Sequence, residues 1–491
     1  MSLHLSKSRY CSALQCPKML WLNDNMPEMC VSTANQTAIE NGYLVGDLAR
    51  GLFGEYELVT YGDLEVMQEQ TKLLLDKGTP VIAEASFSYD GCFCSVDILR
   101  NLGDSVEIYE VKSSTEVKDI HLEDAAYQYY VLTKSGYNVS RVCIVRIDNT
   151  YVRQGELDIH KLFAIEDITA FAKDGFTSVE HNIPIFRRHM AQEHEPDIGI
   201  GMQCFNPYEC CFKDYCFCHL PKPNVFDVAG LATKKKCQLY RDGIISFPQL
   251  EQSCALNLNQ HTQVHYELHD EPARINKANI RELLDSLSFP LYFLDFESYQ
   301  AAIPPFDGSR PYEQLVFQYS LHYIEHEGGL LLHKEYLAYP DGDPRRGVAE
   351  QLCRDIPKDV CVTAYNMGFE KSRIKELARL YPDLADHLMN IHDHIVDLLP
   401  PFRSKDYYTR AMKGSYSIKY VLPALFPDDP ALDYHNLEGV HNGGEASEAF
   451  IRMADMHGEE LERCRNNLLK YCCLDTYAMV RIWEKLKEAA R

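Results

Sequence analysis

An apolar run, Leu291-Tyr292-Phe293-Leu294-Asp295-Phe296-Glu297-Ser298, ends by presenting two carboxylates. In an extended strand alternate side chains share a face, so Asp295 and Glu297 point one way while Leu294 and Phe296 enter the opposite layer. An edge strand with two solvated acids has the same pattern; the apolar run before the acids favours a divalent-metal site. The device recurs earlier in the chain. Val106–Lys112 reads as a strand that puts Glu110 and Lys112 on one face, and the strand before it ends Ser95-Val96-Asp97-Ile98-Leu99. Acids in this arrangement bind a metal, which lowers the pKa of a bound water, and the ammonium orients the nucleophile or steadies charge on a scissile phosphate.

A third constellation is made of cysteines. Cys204, Cys210, Cys211, Cys216 and Cys218 fall within one short segment, and those at 204, 210 and 216 are spaced evenly by six. That spacing is wider than the gaps of most zinc knuckles. With a distant fourth cysteine it suits an iron-sulfur centre, a zinc site and scattered buried thiols being the alternatives.

The elements that must position these groups follow from periodicity. Residues 7–22 read as a short helix, a Cys16-Pro17 step and a second helix, because proline suits a first helical turn. Apolar spacing from Thr33 to Leu52 predicts a helix carrying Glu40. Residues 80–99 read as a hairpin around Asp90-Gly91, and Leu122–Thr133 as a helix that supplies Gln128. Pro221 to about Ala278 offers only short helical pieces, around Val228–Tyr240 and Phe247–Leu256. Beyond it come a helix over 279–287 and the acidic strand. An antiparallel pair follows, Leu315–Glu325 with Leu330–Leu337, then a helix over Gly347–Leu352 and a strand over Val360–Ala364. Tyr365-Asn366-Met367-Gly368-Phe369-Glu370 enters another helix. A last helix over Leu468–Leu486 places Tyr471 and Asp475 four apart, on one face.

The chain of 491 residues is long enough for two or three cores. No stretch reaches the roughly 20 apolar residues of a membrane span, and residues 1–9 lack the apolar run of a signal peptide. A cytoplasmic protein with no membrane partner is expected, its 18 cysteines held reduced. A formal charge of -23 argues against broad attraction to nucleic acid. It leaves room for a local basic channel. Candidate patches are Lys234-Lys235-Lys236, Arg345-Arg346, and the group Arg403, Lys405, Arg410 and Lys413, each of which reads more often as a solvated face.

The front half resembles the RecB-like branch of the PD-(D/E)xK nucleases, especially the CRISPR-associated iron-sulfur members. The resemblance rests on Glu40, Asp97 in "VDIL", and Glu110 with Lys112 in "EVK". Gln128 matches in part, since the family's tyrosine four places on is Leu132 here. The resemblance implies that Glu40, Asp97 and Glu110 bind metal and that Lys112 is catalytic. It also implies that a cysteine in an N-terminal "CP" step, Cys16, joins Cys204, Cys210 and Cys216 around a 4Fe-4S cluster, with Cys11 as the alternative. Such a cluster closes a loop of roughly 190 residues and restricts the unfolded chain.

The back half resembles DnaQ-like (DEDD) 3'-5' exonucleases, which have a ribonuclease-H-like fold. "DFE" matches the first motif through Asp295 and Glu297; "YNMGFE" resembles the second, with Glu370 where aspartate is usual; "YCCLD" matches the tyrosine variant of the third through Tyr471 and Asp475. Its longer texture is similar to a bacterial family that pairs these two halves. The implied fold class is α/β: a restriction-endonuclease-like domain with an iron-sulfur cluster over 1–220, a small helical connector over 221–285, and a DnaQ-like mixed sheet flanked by helices over 286–491. The implied cofactors are the 4Fe-4S cluster and Mg²⁺ or Mn²⁺.

Four carboxylates close together raise one another's pKa, and divalent cations relieve that repulsion. Two such ions would activate a water and stabilise the leaving 3' oxygen of a phosphodiester. Asp295 would bridge them, Glu297, Glu370 and Asp475 would complete the shells, and Tyr471 would orient the water. Asp397, in "IVDLL", is either an auxiliary acid or a strand-end residue. The expectation is a Mg²⁺- or Mn²⁺-dependent nuclease, exonucleolytic, acting on nucleic acid, DNA before RNA, in repair or anti-phage defence. The alternatives are a nucleic-acid-binding or adaptor protein with one or both centres inactive, and a redox or iron-sensing protein resting on the cysteines alone.

Overall fold

The computed structural model describes residues 4–31, 36–253 and 255–491. It is mixed α/β, with two compact units: Met1–Leu220 together with Ala301–Tyr312, and Pro221–Gln300 together with Glu313–Arg491. No helix among the described residues is long and apolar enough to cross a membrane.

The first unit begins with α1 (Lys7–Gln15) and α2 (Pro17–Asn25), separated by the extended Cys16, with Pro17 filling the first helical position. Helix α3 (Gln36–Ala49) is the one expected from Thr33; residues 33–35 lie outside the described residues. Strands β1 (Val81–Tyr89) and β2 (Cys92–Asn101) form the hairpin. Asp90 (φ 47°) and Gly91 (φ 70°) both take left-handed backbone, the turn whose twist matches paired strands. Then come β3 (Val106–Lys112), α4 (Asp119–Lys134), β4 (Val139–Ile147), β5 (Phe163–Asp167) and α5 (Thr169–Met190).

Strands β1 to β5 lie in chain order in one sheet, flanked by Glu57–Leu58 beside β1, with Leu5–Ser6 alongside β2. Strands β3 and β4 are parallel, joined through α4, so both of their faces are covered. Ile108, Val142 and Ile144 pack with Ala125, Ala126 and Val131 of α4, while Tyr109, Cys143 and Val145 pack with Val45 and Ala49 of α3.

The stretch Ala301–Tyr312, expected in the C-terminal domain, belongs to this first unit. Ala302 enters the α3 core, Tyr312 donates its hydroxyl hydrogen to Ser113 O at 2.6 Å, and Arg153 donates to the carbonyls of Pro304 and Pro305.

The second unit opens with α6 (Thr233–Arg241), α7 (Phe247–Glu251) and α8 (Leu258–Leu268) around a small core of Val225, Val228, Leu239, Phe247, Leu250 and Val264. The apolar pattern misses α8; its start is written in polar residues, Asn257 and Gln260 forming a reciprocal cap. After α9 (Lys277–Asp285) come β6 (Leu291–Tyr299), β7 (Leu315–Ile324), β8 (Leu331–Leu337), α10 (Pro344–Asp355), β9 (Cys361–Ala364), α11 (Gly368–Leu380), α12 (Ala385–Asp393) and β10 (Ile395–Asp397). Helix α10 is longer than Gly347–Leu352 because Asp343 accepts the Arg345 N–H at 3.0 Å and Pro344 takes the first turn.

The sheet order is β8-β7-β6-β9-β10, antiparallel on the β7 side of β6 and parallel on the β9 side. The chain ends with α13 (Ile418–Leu425), α14 (Gly443–Arg452) and the 33-residue α15 (Gly458–Ala490). The first turns of α15 are nearly all polar, so periodicity shows the helix only from Leu468. Tyr292, Leu294 and Phe296 pack with α10 and α11, while Leu291 and Phe293 pack with Met479, Val480 and Trp483 of α15. Asp295 and Glu297 therefore share the face of β6 that looks toward α15.

Candidate functional site

In the second unit three separated motifs converge. Donor atoms of Asp295, Glu297 and Cys472 lie within 4.8 Å of one another. Glu370 arrives from the first turn of α11, and Asp475 from α15. The turn before α11 depends on Asn366, whose left-handed backbone (φ 69°) is one asparagine tolerates. Its N–H is taken by Asp397 Oδ1 at 2.9 Å, which also accepts from Leu399 N at 2.9 Å. Asp397 thus closes β10 and holds the Glu370 turn.

Each acid is pushed toward its neutral form. Burial and then Asp475, Glu297 and Glu370 hold Asp295 well above the usual carboxylate range. Burial with Asp475 and Glu370 does the same for Glu297, opposed by Lys419. Burial, with Asp397, lifts Glu370 to about 8, against its own backbone hydrogen bond and Arg373. Burial lifts Asp475 to about 7, against Tyr434, Lys419 and Tyr471. Glu370 Oε2 is buried with no hydrogen-bond partner among the described residues. Mutually repelling acids and an orphaned carboxylate oxygen are what a divalent cation would satisfy. Burial and the neighbouring carboxylates push Tyr471 upward, so it is a protonated hydroxyl and not a base.

Two residues here carry no sequence signal. Tyr434, on the one-turn helix Tyr434–Asn436, donates to Asp475 Oδ1 at 2.6 Å. Lys419, exposed on α13, supplies positive charge to Glu297 and Asp475 and stands between the exposed Tyr416 and Tyr420.

The first unit gathers a second group at the end of β3. The ladder between β2 and β3 stops at the pair Ile98–Tyr109, and the Val111 N–H goes instead to Asp97 Oδ2 at 2.7 Å. Opposite Asp97, Glu84 of β1 breaks the strand register with φ 56°. Burial, with Glu110, pushes Asp97 up to about 7. Burial would raise Glu110 too, but Lys112 and Lys7 outweigh it and hold this carboxyl well below its usual range. Lys112 Nζ lies 2.7 Å from Glu110 Oε1 and 2.5 Å from Asp124 Oδ2; Lys7 Nζ lies 2.8 Å from Glu110 Oε1. Gln128 Nε2 donates to Glu110 Oε2 at 2.6 Å, while Gln128 Oε1 is buried without a partner among the described residues.

Lys7 and Asp124 were not among the expected residues. Asp124 stands one turn before Gln128 and so shares its face of α4; Lys7 gives no signal. Glu40 stands apart: it is exposed on α3 and accepts from Gln36 Nε2 at 2.9 Å. A cavity of about 300 Å³ lined by Lys7, Cys11, Lys112, His121, Asp124 and Tyr208 opens onto the group.

Cys16, Cys204, Cys210 and Cys216 line one small cavity of about 20 Å³, flanked by Lys18 and Lys213. Cys11 lies elsewhere, against Asp124, Lys112 and Lys7. Burial raises Cys216 to about 11, with Cys204, Cys210 and Cys16 adding to it against Lys18. An all-sulfur donor set in which the thiols disfavour one another's ionisation fits a thiolate-bound metal or cluster. Cys30 and Cys211 are joined in a disulfide, a departure from the expectation that every thiol is reduced.

Four of the candidate basic residues serve the fold. Arg345 is buried against Asp343, Arg346 pairs with Glu350 and Asp383, Arg410 pairs with Glu267, and the buried Lys405 donates to Gly414 O at 3.0 Å.

Residues 292–417 match a family model described as a domain of unknown function (DUF2779). That segment contains Asp295, Glu297 and Glu370 and stops before Asp475. An uncharacterized protein of Ureaplasma parvum serovar 3 is 28% identical over 224 residues, covering 41% of this chain and 32% of that protein. An uncharacterized protein of Mycoplasma genitalium is 25% identical over 209 residues, covering 39% of this chain and 31% of that protein. The chain thus spans under a third of the length of these curated relatives.

Proposed function

We propose that the protein is a metal-dependent nuclease with two centres, a RecB-like PD-(D/E)xK site in the first unit and a DnaQ-like exonuclease site in the second. The observation that carries the reading is the meeting of Asp295, Glu297, Glu370 and Asp475. They come from three motifs spread over 180 residues, and all four lie above their ordinary carboxylate range. A fold does not gather four such acids for stability, since each costs desolvation and repulsion. Mg²⁺ or Mn²⁺ held by these carboxylates would supply an activated water and neutralise the leaving oxygen of a phosphodiester.

The chain's own groups do the rest. Tyr471 keeps its proton and donates a hydrogen bond, orienting a water beside Asp475. Tyr434 holds the Asp475 carboxylate in place and favours its charged form. Lys419, with Tyr416 and Tyr420 exposed on either side, offers a cation and two rings to a single strand entering the site. In the first unit Asp97 and Glu110 would hold the cation, with Asp124 beside them. Lys112 and Lys7 neutralise the buried acids and stand ready to meet phosphate charge.

Cys16, Cys204, Cys210 and Cys216 would hold a 4Fe-4S cluster that fastens the N-terminal helices to the end of the unit. Net charge of -23 confines attraction for nucleic acid to such local groups. The test is digestion of labelled single- and double-stranded DNA and RNA with Mg²⁺ or Mn²⁺ by wild type, Asp97→Ala, Asp295→Ala and the double variant. Each single variant loses one activity and the double variant loses both. Cleavage that survives in the double variant contradicts the assignment.

A further inference from the structure

His322 on β7 and His333 on β8 are directly opposed across the strand pair, with ring centroids 4.4 Å apart. Cys473 of α15 faces them, and one donor atom from each of the three residues lies within 4.8 Å of the other two. Neither the sequence motifs nor the proposed nuclease chemistry uses this cluster.

The surrounding hydrogen bonds orient both imidazoles. Thr476 Oγ1 donates to Cys473 O at 3.1 Å, which leaves its oxygen as an acceptor. His322 Nδ1–H can then donate to it at 2.8 Å, and the Ser320 hydroxyl at 2.7 Å. With its hydrogen committed, Ser320 Oγ accepts from His333 Nε2–H at 2.9 Å. In this assignment His322 Nε2 and His333 Nδ1 carry free lone pairs. Metal-bound histidines are held the same way, each donating its second N–H to a neighbouring acceptor. Burial lowers His322 to about 4 and also lowers His333, keeping both rings neutral.

We infer that His322, His333 and Cys473 form a site for a zinc-type divalent cation, with its remaining coordination position facing a cavity of about 660 Å³ lined also by Glu335 and Asp433. Two imidazoles and a thiolate are borderline-soft donors that select Zn²⁺, Co²⁺ or Ni²⁺ over Mg²⁺ and Mn²⁺. Glu335, two places from His333 on the same face of β8, acts on Cys473 and lines the same cavity, so it would supply a fourth ligand, a water otherwise taking that place. The bound ion would tie α15 to β7 and β8, one residue along α15 from Cys472 and two from Asp475. This inference is independent of the nuclease reading, because its donors differ from the acidic ones in position and chemistry.

The test is Co²⁺ titration of the full chain after chelator treatment, followed by the thiolate-to-cobalt charge-transfer band, with Zn²⁺ bound per chain as a second readout. The expected result is one equivalent, with its share of the band, lost in both His333→Gln and Cys473→Ser and retained in Cys204→Ser. His333 lies on the edge strand β8 with its ring partly open to solvent, so circular dichroism of His333→Gln should match wild type. Thr476→Val, which removes the acceptor for His322, should weaken binding roughly tenfold. Stoichiometry and band unchanged in His333→Gln, or lost in only one of the two ligand variants, would overturn the site.

Discussion

The hydroxyl of Tyr434 donates a 2.6 Å hydrogen bond to Asp475, from a one-turn helix 41 residues earlier in the chain. It favours the charged form of an acid that burial otherwise lifts to about 7. Tyr434→Phe removes that bond without changing shape. Hydrogen bonds to charged groups contribute about 1.5–3 kcal/mol, so Asp475 should titrate roughly one to two pH units higher. The pH profile of metal-dependent cleavage by the second unit, measured in an Asp97→Ala background, should move upward by that amount.

The acid cluster also makes stability depend on pH in an unusual direction. Its folded carboxyls lie above their unfolded values near 4, Asp475 at about 7 and Glu370 at about 8. Protonation therefore favours the folded state. The contribution is fully present below about pH 4 and is lost as pH rises through about 7 to 8. In chelator, the melting transition of the second unit should fall between pH 5 and pH 8 more steeply than in Asp295→Asn. Excess Mn²⁺ should restore it at pH 8.

In the first unit Glu110 and Asp124 are balanced by Lys112 and Lys7. Lys112→Met leaves two buried carboxylates facing one ammonium. Breaking a buried pair costs about 3–5 kcal/mol, so urea unfolding of the metal-free first unit should shift by that order. The smaller cost of Lys7→Met, whose side chain is similarly exposed but contacts Asp124 only at 3.7 Å, gives the comparison.

Four cysteines line one cavity, Cys16 among them and Cys11 not. Anaerobically purified protein should show visible iron-sulfur absorption that Cys16→Ser abolishes and Cys11→Ser retains. Zinc without iron in the wild type would assign the same four thiols to a mononuclear site.

The sequence made the strands that carry the acids visible, because a period of two is short enough to read from eight residues. Asp295 with Glu297 and Glu110 with Lys112 could be placed on common faces for that reason. Helices whose starts are set by polar caps, such as α8 at Asn257, or whose first turns face water, such as the beginning of α15, leave no apolar period to read. Residues that reach a site from a distant element were equally hidden. Tyr434, Lys419 and Lys7 act on acids far away in the chain, and no local pattern in the sequence marks them out. The stretch 301–312 follows the acidic strand directly, yet its side chains complete a core formed by residues between Val45 and Phe163, a contact that only the tertiary structure reveals. A charged face and a buried cation also look alike in sequence: Arg345 and Lys405, which read as solvated, are buried inside the fold.

The central claim is that Asp295 and its partners cut phosphodiester bonds, and Asp97→Ala, which leaves only the second centre, tests it most directly. With Mn²⁺ and a 5'-labelled single strand, this variant should give a ladder of products shortened from the 3' end, and adding Asp295→Asn should abolish it. A ladder that persists with Asp295→Asn, or no Mn²⁺-dependent shortening of DNA or RNA, would contradict the account.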